Sequence, residues 1–584
     1  MGAIKFIISE TSKNLANIEF TKAMLNMKSR GETETTYTLD SNIPISRINH
    51  EQVKKSLTRD QLAKYKNYSV IYGYHRLAIN DNSFNASQPF EDPILHKIRE
   101  YPELRTRVNR RLLCNGEIYN YDTLVAEFSD KDIQSTSDVE IILPLYIKYG
   151  LDYVLNKLDG DYTFILTENI NTIDLDSMNV FAARDIFGNK PLYYITNKLS
   201  EFYMFVTELK GIPQKLLQNN QYTVSEFPIG SYWSFQNPTQ FTKFYDWEYL
   251  KNLDNCIINS TDPNQINSIY TNIESLLTQS IIKRVKTNVK QPIGILVSGG
   301  FDSSIITAII SRYVSQLQIE HPVEIPIELH TFSISENDTL ELVEWLEDNY
   351  PGLDIIHHTI CIDESFINKE NLKKVITDNI YITETYDVQT IRDSIPFTLL
   401  FKYIRDNTPV KILLSGEGID ELFPDNIVDD ALFQSSSISA IQNFNKLDKL
   451  ERLVSNSGLE IRHPFLDKSL VEYIASIHPK LKRAQVYQAN KPPIEKYILR
   501  SSFKTSNYLP YKFLWRTRDK INNSYYDKII SIICDLSSDM FTETDLENYV
   551  LEKNVRTCNN KPECLESLYY RKTFEKFFGK YITM

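Results

Sequence analysis

At 584 residues the chain is too long for one ordinary core, and its 42% hydrophobic and 24% charged content is that of a folded globular protein, so two or three domains are expected. A net charge of -12 argues against a nucleic-acid carrier, which needs surplus lysine and arginine to displace counterions, and favours small-molecule chemistry. Six scattered cysteines (Cys114, Cys256, Cys361, Cys534, Cys558, Cys564) form no CxxC pair, which disfavours zinc or a disulfide framework and suits a reduced, cytoplasmic setting. No apolar run is long enough to span a bilayer, and the start MGAIKFIISE lacks the layout of a signal peptide, so a membrane is not an expected partner. Gly2 suggests N-myristoylation, but Phe6 stands where that motif has Ser or Thr.

Residues 1–245 read as short alternating β runs, YSVIYGYHRLAI, RRLLC, DYTFILTE, NVFAA and EFYMFVTE, with one helix near DVEIILPLYIKYG. The polar stretch from about 33 to 67 reads as an inserted loop. HRLAIND from His75, CNGEIYN from Cys114 to Asn120, LDGDYTFIL and ARDIFGNKPLYY together resemble the class II glutamine amidotransferases, which implies a four-layer αββα domain of the Ntn type. By that resemblance Arg76 would clamp the α-carboxylate of glutamine, and Glu117 and Asp138 would accept from its α-ammonium. Asn115 and the N–H of Gly116 would form an oxyanion hole for the charge that develops on the amide oxygen. Active members carry a cysteine nucleophile right after the initiator methionine; here Gly2 stands there and offers none. Cys114, on the strand leading into the oxyanion loop, reads as a core residue.

The polar segment 251–265 suits a surface connection, so the second domain is placed at 246–584. From about 290 the period changes to PIGILV, a helix from Asp302 to Leu317, ELHTFSIS, the helical TLELVEWLEDNY and DIIHHTI, an alternation that predicts a doubly wound parallel α/β sheet. In GILVSGGFDSS a buried strand turns through Gly299 and Gly300 into a helix. Those glycines admit an anion close to the backbone, and Ser298, Ser303, Ser304 and the helix-start N–H groups can hold phosphate oxygens. The Gly-Lys-Ser/Thr ending of a Walker loop is absent, so chemistry at the γ-phosphate is not implied. KILLSGEGIDELF from Lys411 to Phe423 repeats the design, with Ser415 and Gly416 in its turn, and two such turns on one parallel sheet converge at the carboxyl ends of their strands.

SGGxDSS resembles the loop of ATP pyrophosphatases, which cleave between the α and β phosphates. Followed in order by the second turn, ETYDVQTIRDSIP, GLEIRHPFLDKSLVEYI and NKPPIEKYILR, it resembles the asparagine synthetase family. The resemblance implies ATP and Mg²⁺ as cofactors, with Asp302 and Asp420, beside Glu421, toward metal and pyrophosphate. It places Ser415, Gly416, Val297 and Ile334 at the nucleotide, and Glu417 where ammonia attacks activated aspartate. Lys496 would neutralise the transferring phosphoryl group, and Glu451, where the family has aspartate, would lie near the substrate. The implied activity is that of a carbon–nitrogen ligase of asparagine biosynthesis. It amidates aspartate through β-aspartyl-AMP, releases AMP and pyrophosphate, and with Gly2 in place takes ammonia directly rather than splitting glutamine. Two alternatives stay open. One is a non-catalytic binding or regulatory relative, suggested by Gly2, by Ile419 for Ser and by Pro424 for Gly; the other is a β-lactam synthetase-type ligase, against which NGEIYN and ETYDVQTIR speak. A homodimer is compatible with the resemblance.

Overall fold

The computed structural model describes residues 2–582 apart from 10–19, 32, 39–45, 48–69, 80, 82, 93–109, 129–132, 169–177, 199–201, 260–261, 287–290, 321–326, 335–338, 363, 425–426, 444, 486–492, 517–523, 552–560 and 580–581. The alternating runs of the first half form two antiparallel sheets. The first contains β1 (Gly2–Ser9), β2 (Glu34–Thr38), β3 (Ser46–Arg47), β4 (Val70–Arg76), β9 (Tyr193–Asn197), β10 (Phe202–Val206) and β11 (Tyr222–Glu226), in the order β11-β9-β10-β1-β4-β2-β3. The second contains β5 (Phe90–Glu91), β6 (Arg110–Ile118), β7 (Gly160–Glu168), β8 (Asn179–Arg184), β12 (Ser231–Ser234) and β13 (Asn237–Lys243), in the order β13-β12-β8-β7-β6-β5.

Successive side chains of a strand point to opposite faces, and β1 shows what that does here. Ile4, Phe6 and Ile8 meet Leu113, Ile165, Val180 and Trp233 of the facing sheet, while Ala3 and Ile7 turn the other way. Helices Tyr121–Phe128, Ile142–Tyr149 and Leu151–Lys157 cover the outer face of the second sheet. The outer face of the first is covered largely by the second half of the chain. Leu372, Ile376 and Ile380 come from helix Lys369–Thr383, and Tyr569, Tyr570, Phe574 and Phe578 from helix Leu565–Phe578. The αββα layering stands, with one outer layer borrowed from the other half.

The stretch 33–67 departs from the loop expected of it. ETTYT pairs with β4 from Glu34↔Arg76 to Thr38↔Tyr72, and Ser46–Arg47 extends the edge. Polar composition concealed a threonine- and tyrosine-rich strand next to the sheet edge, a residue mix that suits a pleated, half-buried surface. The remainder of that stretch, 39–45 and 48–67, lies outside the described residues.

The second half is built on a five-stranded, all-parallel sheet of β14 (Ile293–Leu296), β15 (Leu329–Ile334), β16 (Ile355–Ile360), β17 (Ile412–Leu414) and β18 (Glu460–Arg462), in the order β16-β15-β14-β17-β18. The chain winds from β14 outward to β16, then returns to lay β17 on the other side of β14. The direction of winding therefore reverses between β14 and β17, the place where open α/β sheets leave a crevice. Ile293 and Ile295 pack on helices Phe301–Glu320 and Pro263–Lys286, while Phe332, Leu413 and Ile461 pack on helices Val388–Asn407 and Asn445–Asn456. Both faces are buried, as the doubly wound pattern predicts. Among the described residues no helix is long and apolar enough to cross a membrane.

Gly294 lets the sheet centre close. A Cβ there would lie 2.6 Å from a Leu413 methyl and 2.9 Å from the Phe332 ring, both in tightly packed surroundings. Gly294→Ala is therefore expected to destabilise the chain by about 1–3 kcal/mol through overpacking, read as a lower urea midpoint at unchanged slope.

Candidate active site

At the reversal point the two serine-glycine turns come together. Val297 leaves β14 buried, its N–H donating to Phe332 at 2.8 Å, and Ile334 closes the neighbouring β15, so these two predicted positions sit at the ends of adjacent strands. Gly299 then takes a left-handed backbone with φ of 75°, which glycine adopts without steric penalty, and the chain enters helix Phe301–Glu320. Ser303 Oγ accepts from the Ser298 N–H at 3.1 Å and Ser304 Oγ donates to the Gly300 carbonyl at 2.7 Å, which fixes the turn from inside. On β17 the Ser415 N–H donates to the Arg462 carbonyl at 3.0 Å, and Ser415 Oγ accepts from the Glu417 N–H at 3.3 Å. A Cβ on Gly416 would stand 3.1 Å from the Ser303 nitrogen, so the second turn abuts the first at its helix start.

Lys496 joins the two turns. Its Nζ lies 2.6 Å from Asp302 Oδ2 and also contacts Asp420, placing residues 194 positions apart in one ion cluster. The lysine is 5% exposed and held in a left-handed backbone with φ of 53°, a conformation costing a non-glycine residue about 1–3 kcal/mol and therefore imposed by its surroundings. Arg500 supplies part of that constraint by donating to the carbonyls of Glu495 at 2.9 Å and Leu514 at 2.7 Å. Asp302 Oδ1 is enclosed with no hydrogen-bond partner. Glu417 is exposed on the second turn, and Glu421 is half-buried beside Asp420. Ile419 is fully buried in the main core cluster, so the side chain standing where the family has Ser serves packing.

The predicted glutamine residues also gather. Arg76, Gly116, Glu117 and Asp138 line one cavity of about 30 Å³, together with Tyr74, Asp81, Gln88 and Cys114. Arg76 is turned onto the carbonyls of its own loop, Ser83 at 3.1 Å and Asp81. Asp138 Oδ2 accepts from the Ile118 N–H at 2.5 Å, and Glu117 Oε2 lies 3.2 Å from Arg462 of the second half. Burial, then Asp138 and Glu460, push the Glu117 carboxyl up, against the opposing pull of Arg462. Asn115 stands outside that lining; its Oδ1 accepts from the Gly2 N–H at 2.9 Å and its Nδ2 is buried without a partner. Gly2 itself is walled in. A Cβ there would be 2.1 Å from the His75 carbonyl oxygen and 2.6 Å from the Tyr74 ring, whose hydroxyl donates to the Cys114 carbonyl at 3.0 Å. The Cys114 thiol is fully buried and pushed up by that burial, as suits a core residue. A larger cleft of about 490 Å³, with Phe187, Lys243 and Trp247 in its wall, contains none of the predicted residues.

An αββα domain joined to a doubly wound sheet with paired glycine turns defines a two-domain amidotransferase architecture. The glutamine amidotransferase domain profile matches residues 51–270, and the asparagine synthase profile matches 272–426 and 428–578. The chain belongs to the asparagine synthase family. It is 30% identical over 536 residues to a probable glutamine-hydrolysing asparagine synthetase of Acanthamoeba polyphaga mimivirus, covering 89% of this chain and 88% of that one. The glutamine-hydrolysing asparagine synthetases of Gallus gallus and Rattus norvegicus are 29% and 30% identical, each across 87% of this chain and 86% of the relative. A solved structure titled as the allosteric regulatory enzyme of purine biosynthesis overlaps 61% of this chain and 80% of its own at 16% identity and a TM-score of 0.31, too loose to carry an argument.

Between the two sites lies a buried ionic joint that motif reading missed. Arg30, from the first half, bonds Glu451 at 2.9 Å and Glu208 at 3.2 Å, so Glu451, expected near the substrate, is committed to the joint. Arg462 donates to Glu460 at 2.6 Å as well as pairing with Glu117, and Arg452 reaches Tyr193 at 2.9 Å and Glu384 at 3.4 Å. No local pattern marks Arg30, whose partner Glu451 lies 421 positions away. Next to Arg462, His463 is fully buried and its imidazole is pushed down to about 3, chiefly by burial, with Lys190 and Arg284 adding to the effect and Asp161 opposing it.

The unfolded chain protonates that ring near pH 6.5 and the folded chain does not, so His463 removes stability as pH falls below about 6.5. Glu384, pushed up to about 7, and Asp185, pushed up to about 6, chiefly by burial, act with the opposite sign in the same range because their folded forms hold the proton longer. The comparison that isolates His463 is therefore thermal unfolding of wild type and His463→Gln from pH 7 to pH 5. The wild type is expected to lose more Tm over that interval than the variant.

Proposed function

We propose that this chain is an ATP-dependent carbon–nitrogen ligase of asparagine biosynthesis that amidates aspartate with ammonia taken directly. The observation that carries this reading is the meeting of Lys496, Asp302 and Asp420 with two serine-glycine turns at the reversal point of a parallel sheet. ATP phosphates would rest on the first turn, against the serine hydroxyls and the free N–H groups of the helix start. Asp302 and Asp420 fit a hard cation, because Asp302 Oδ1 is an enclosed acceptor with no other partner; Mg²⁺ bound there would screen the charge of the leaving pyrophosphate. Among the described residues no group of three His, Cys, Asp or Glu forms a complete metal cage, which suits an ion completed by phosphate oxygens and water.

The chemistry assigned to the side chains follows from charge. An aspartate carboxylate is a poor electrophile until one oxygen becomes a leaving group, so its attack on the α-phosphorus, giving β-aspartyl-AMP, precedes amidation. Lys496 is positioned by two carboxylates, and its ammonium, with three donors, would turn one to the phosphoryl oxygens on which charge develops. Glu417, exposed on the second turn, is the acceptor for the proton that ammonia sheds as it displaces AMP.

Direct use of ammonia is supported from the other half. Gly2 has no nucleophile, the space a side chain would need there is filled, and the cavity lined by Arg76, Glu117 and Asp138 is small, about 30 Å³. The competing reading is a nucleotide-binding relative without turnover.

With Mg²⁺, ATP, aspartate and ammonium, AMP and asparagine should form in equal amounts, and Lys496→Ala should lower AMP formation by roughly 10²–10³-fold, the loss seen when one preorganised charge stabiliser is removed. Nucleotide binding without AMP release would favour the non-catalytic reading. Glutamine in place of ammonium should yield no glutamate, and Gly2→Cys should not restore its release, because the new Cβ meets the His75 carbonyl. Glutamate release by that variant would show the space to be open.

A further inference from the structure

Arg516 has no place in any motif, yet the fold brings it to the first phosphate turn. Its Nη1 donates to the Gly299 carbonyl at 3.2 Å, across 217 positions of chain, and a Cβ on Gly299 would stand at the same 3.2 Å from that nitrogen. The guanidinium therefore lies against the residue whose left-handed backbone shapes the turn.

The approach is built. Trp515 is buried with its ring 5.6 Å from Tyr497, the residue after Lys496, and 6.3 Å from Tyr511. Arg500 ties the Leu514 carbonyl to the Lys496 segment at 2.7 Å. One packed unit thus carries both cations, Lys496 to the two aspartates and Arg516 to the glycine turn.

Charge gives the second cation a task. Lys496 is already matched by Asp302 and Asp420, so these three groups leave one net negative charge where a polyanion must bind. A divalent metal offsets part of the phosphate charge. The remainder calls for a further cation, and Arg516 already contacts the Gly299 carbonyl of the turn. A guanidinium offers several N–H donors in a planar fork that fits two phosphoryl oxygens at once, which an ammonium does not.

We propose that Arg516 binds the pyrophosphate portion of ATP, exchanging its bond to the Gly299 carbonyl for bidentate bonds to β- and γ-phosphoryl oxygens and retaining pyrophosphate after AMP has formed. This rests on the nucleotide reading of the turns given above.

The test is binding of Mg-pyrophosphate and of AMP to the full-length wild type and to Arg516→Ala, Arg516→Gln and Arg516→Lys, by calorimetry. Arg516→Ala is expected to weaken pyrophosphate roughly tenfold or more, the scale of one lost charge-assisted contact, while AMP, which lacks those phosphates, binds as before. Gln keeps a donor for the Gly299 carbonyl without the charge, and Lys keeps charge without the fork. Partial recovery by Lys and none by Gln supports phosphate binding; full recovery by Gln means that Arg516 only braces the turn and overturns the proposal. Unchanged pyrophosphate affinity in Arg516→Ala overturns it as well. A wild type that binds AMP or ATP but no pyrophosphate refutes Arg516 alone, whereas one that binds none of the three removes the nucleotide reading and this proposal with it. Equal weakening of AMP and pyrophosphate in all three variants, with lowered Tm, assigns Arg516 to structure and also overturns the proposal.

Discussion

Ile293 to Ile295 pair in parallel with Ile412 to Leu414, and because the two strands run in step their serine-glycine turns emerge side by side at the carboxyl ends of the central strands. Everything at the candidate site follows from that pairing. It sets Gly416 against the start of the helix that carries Asp302, and it brings Asp420 to the lysine that Asp302 already holds. Had β17 added beyond β16, the second turn would lie at the far edge of the sheet and Lys496 would have one carboxylate partner. The sheet order is thus the geometric cause of the ion cluster, and Gly294 keeps that order compact by giving up its side chain.

The joint between the halves obeys a different rule. Arg30, Arg284 and Arg462 are almost wholly removed from solvent, and taking such charges out of water costs several kcal/mol per ion unless partners replace the lost hydration. Here they do. Arg284 donates to Ser280, Asp467 and the Leu466 carbonyl, while Arg462 holds Glu460, Glu117 and the Arg284 carbonyl. A carboxylate of the glutamine-like cavity is therefore one residue removed from the strand whose carbonyl receives the Ser415 N–H. Geometry in one half constrains the other through short, charged links.

Much of this was legible in the chain itself, for identifiable reasons. The first glycine turn announces itself because strand, turn and helix start are contiguous, the second because it repeats the strand and serine-glycine turn although only a short 3-10 turn, Asp420–Leu422, follows it. The doubly wound layers follow from strands alternating with helices, while the αββα layers rest on the resemblance of the first-half motifs. Arg76, Gly116, Glu117 and Asp138 share a cavity as their motifs imply. The misses have equally physical causes. Glu34–Thr38 looked like loop because its polar residues mask the strand that pairs with β4, and the sequence does not show that Arg30 reaches Glu451. Arg516 carries no signal at all, since its meaning lies in a contact with Gly299 that no periodicity encodes.

The outer layer that covers the first sheet has one more consequence. Ala3, Ile7 and Met204 from one half and Leu372, Ile376 and Phe574 from the other belong to a single apolar cluster, with the Arg30–Glu451 bond at the same seam. Each half has apolar clusters of its own, but this one is complete only when the two are together. A protease cut in the surface connection would sever the polypeptide while the shared cluster and the Arg30–Glu451 bond still held the pieces together, and fragments made apart would each leave one side of that cluster bare until they met.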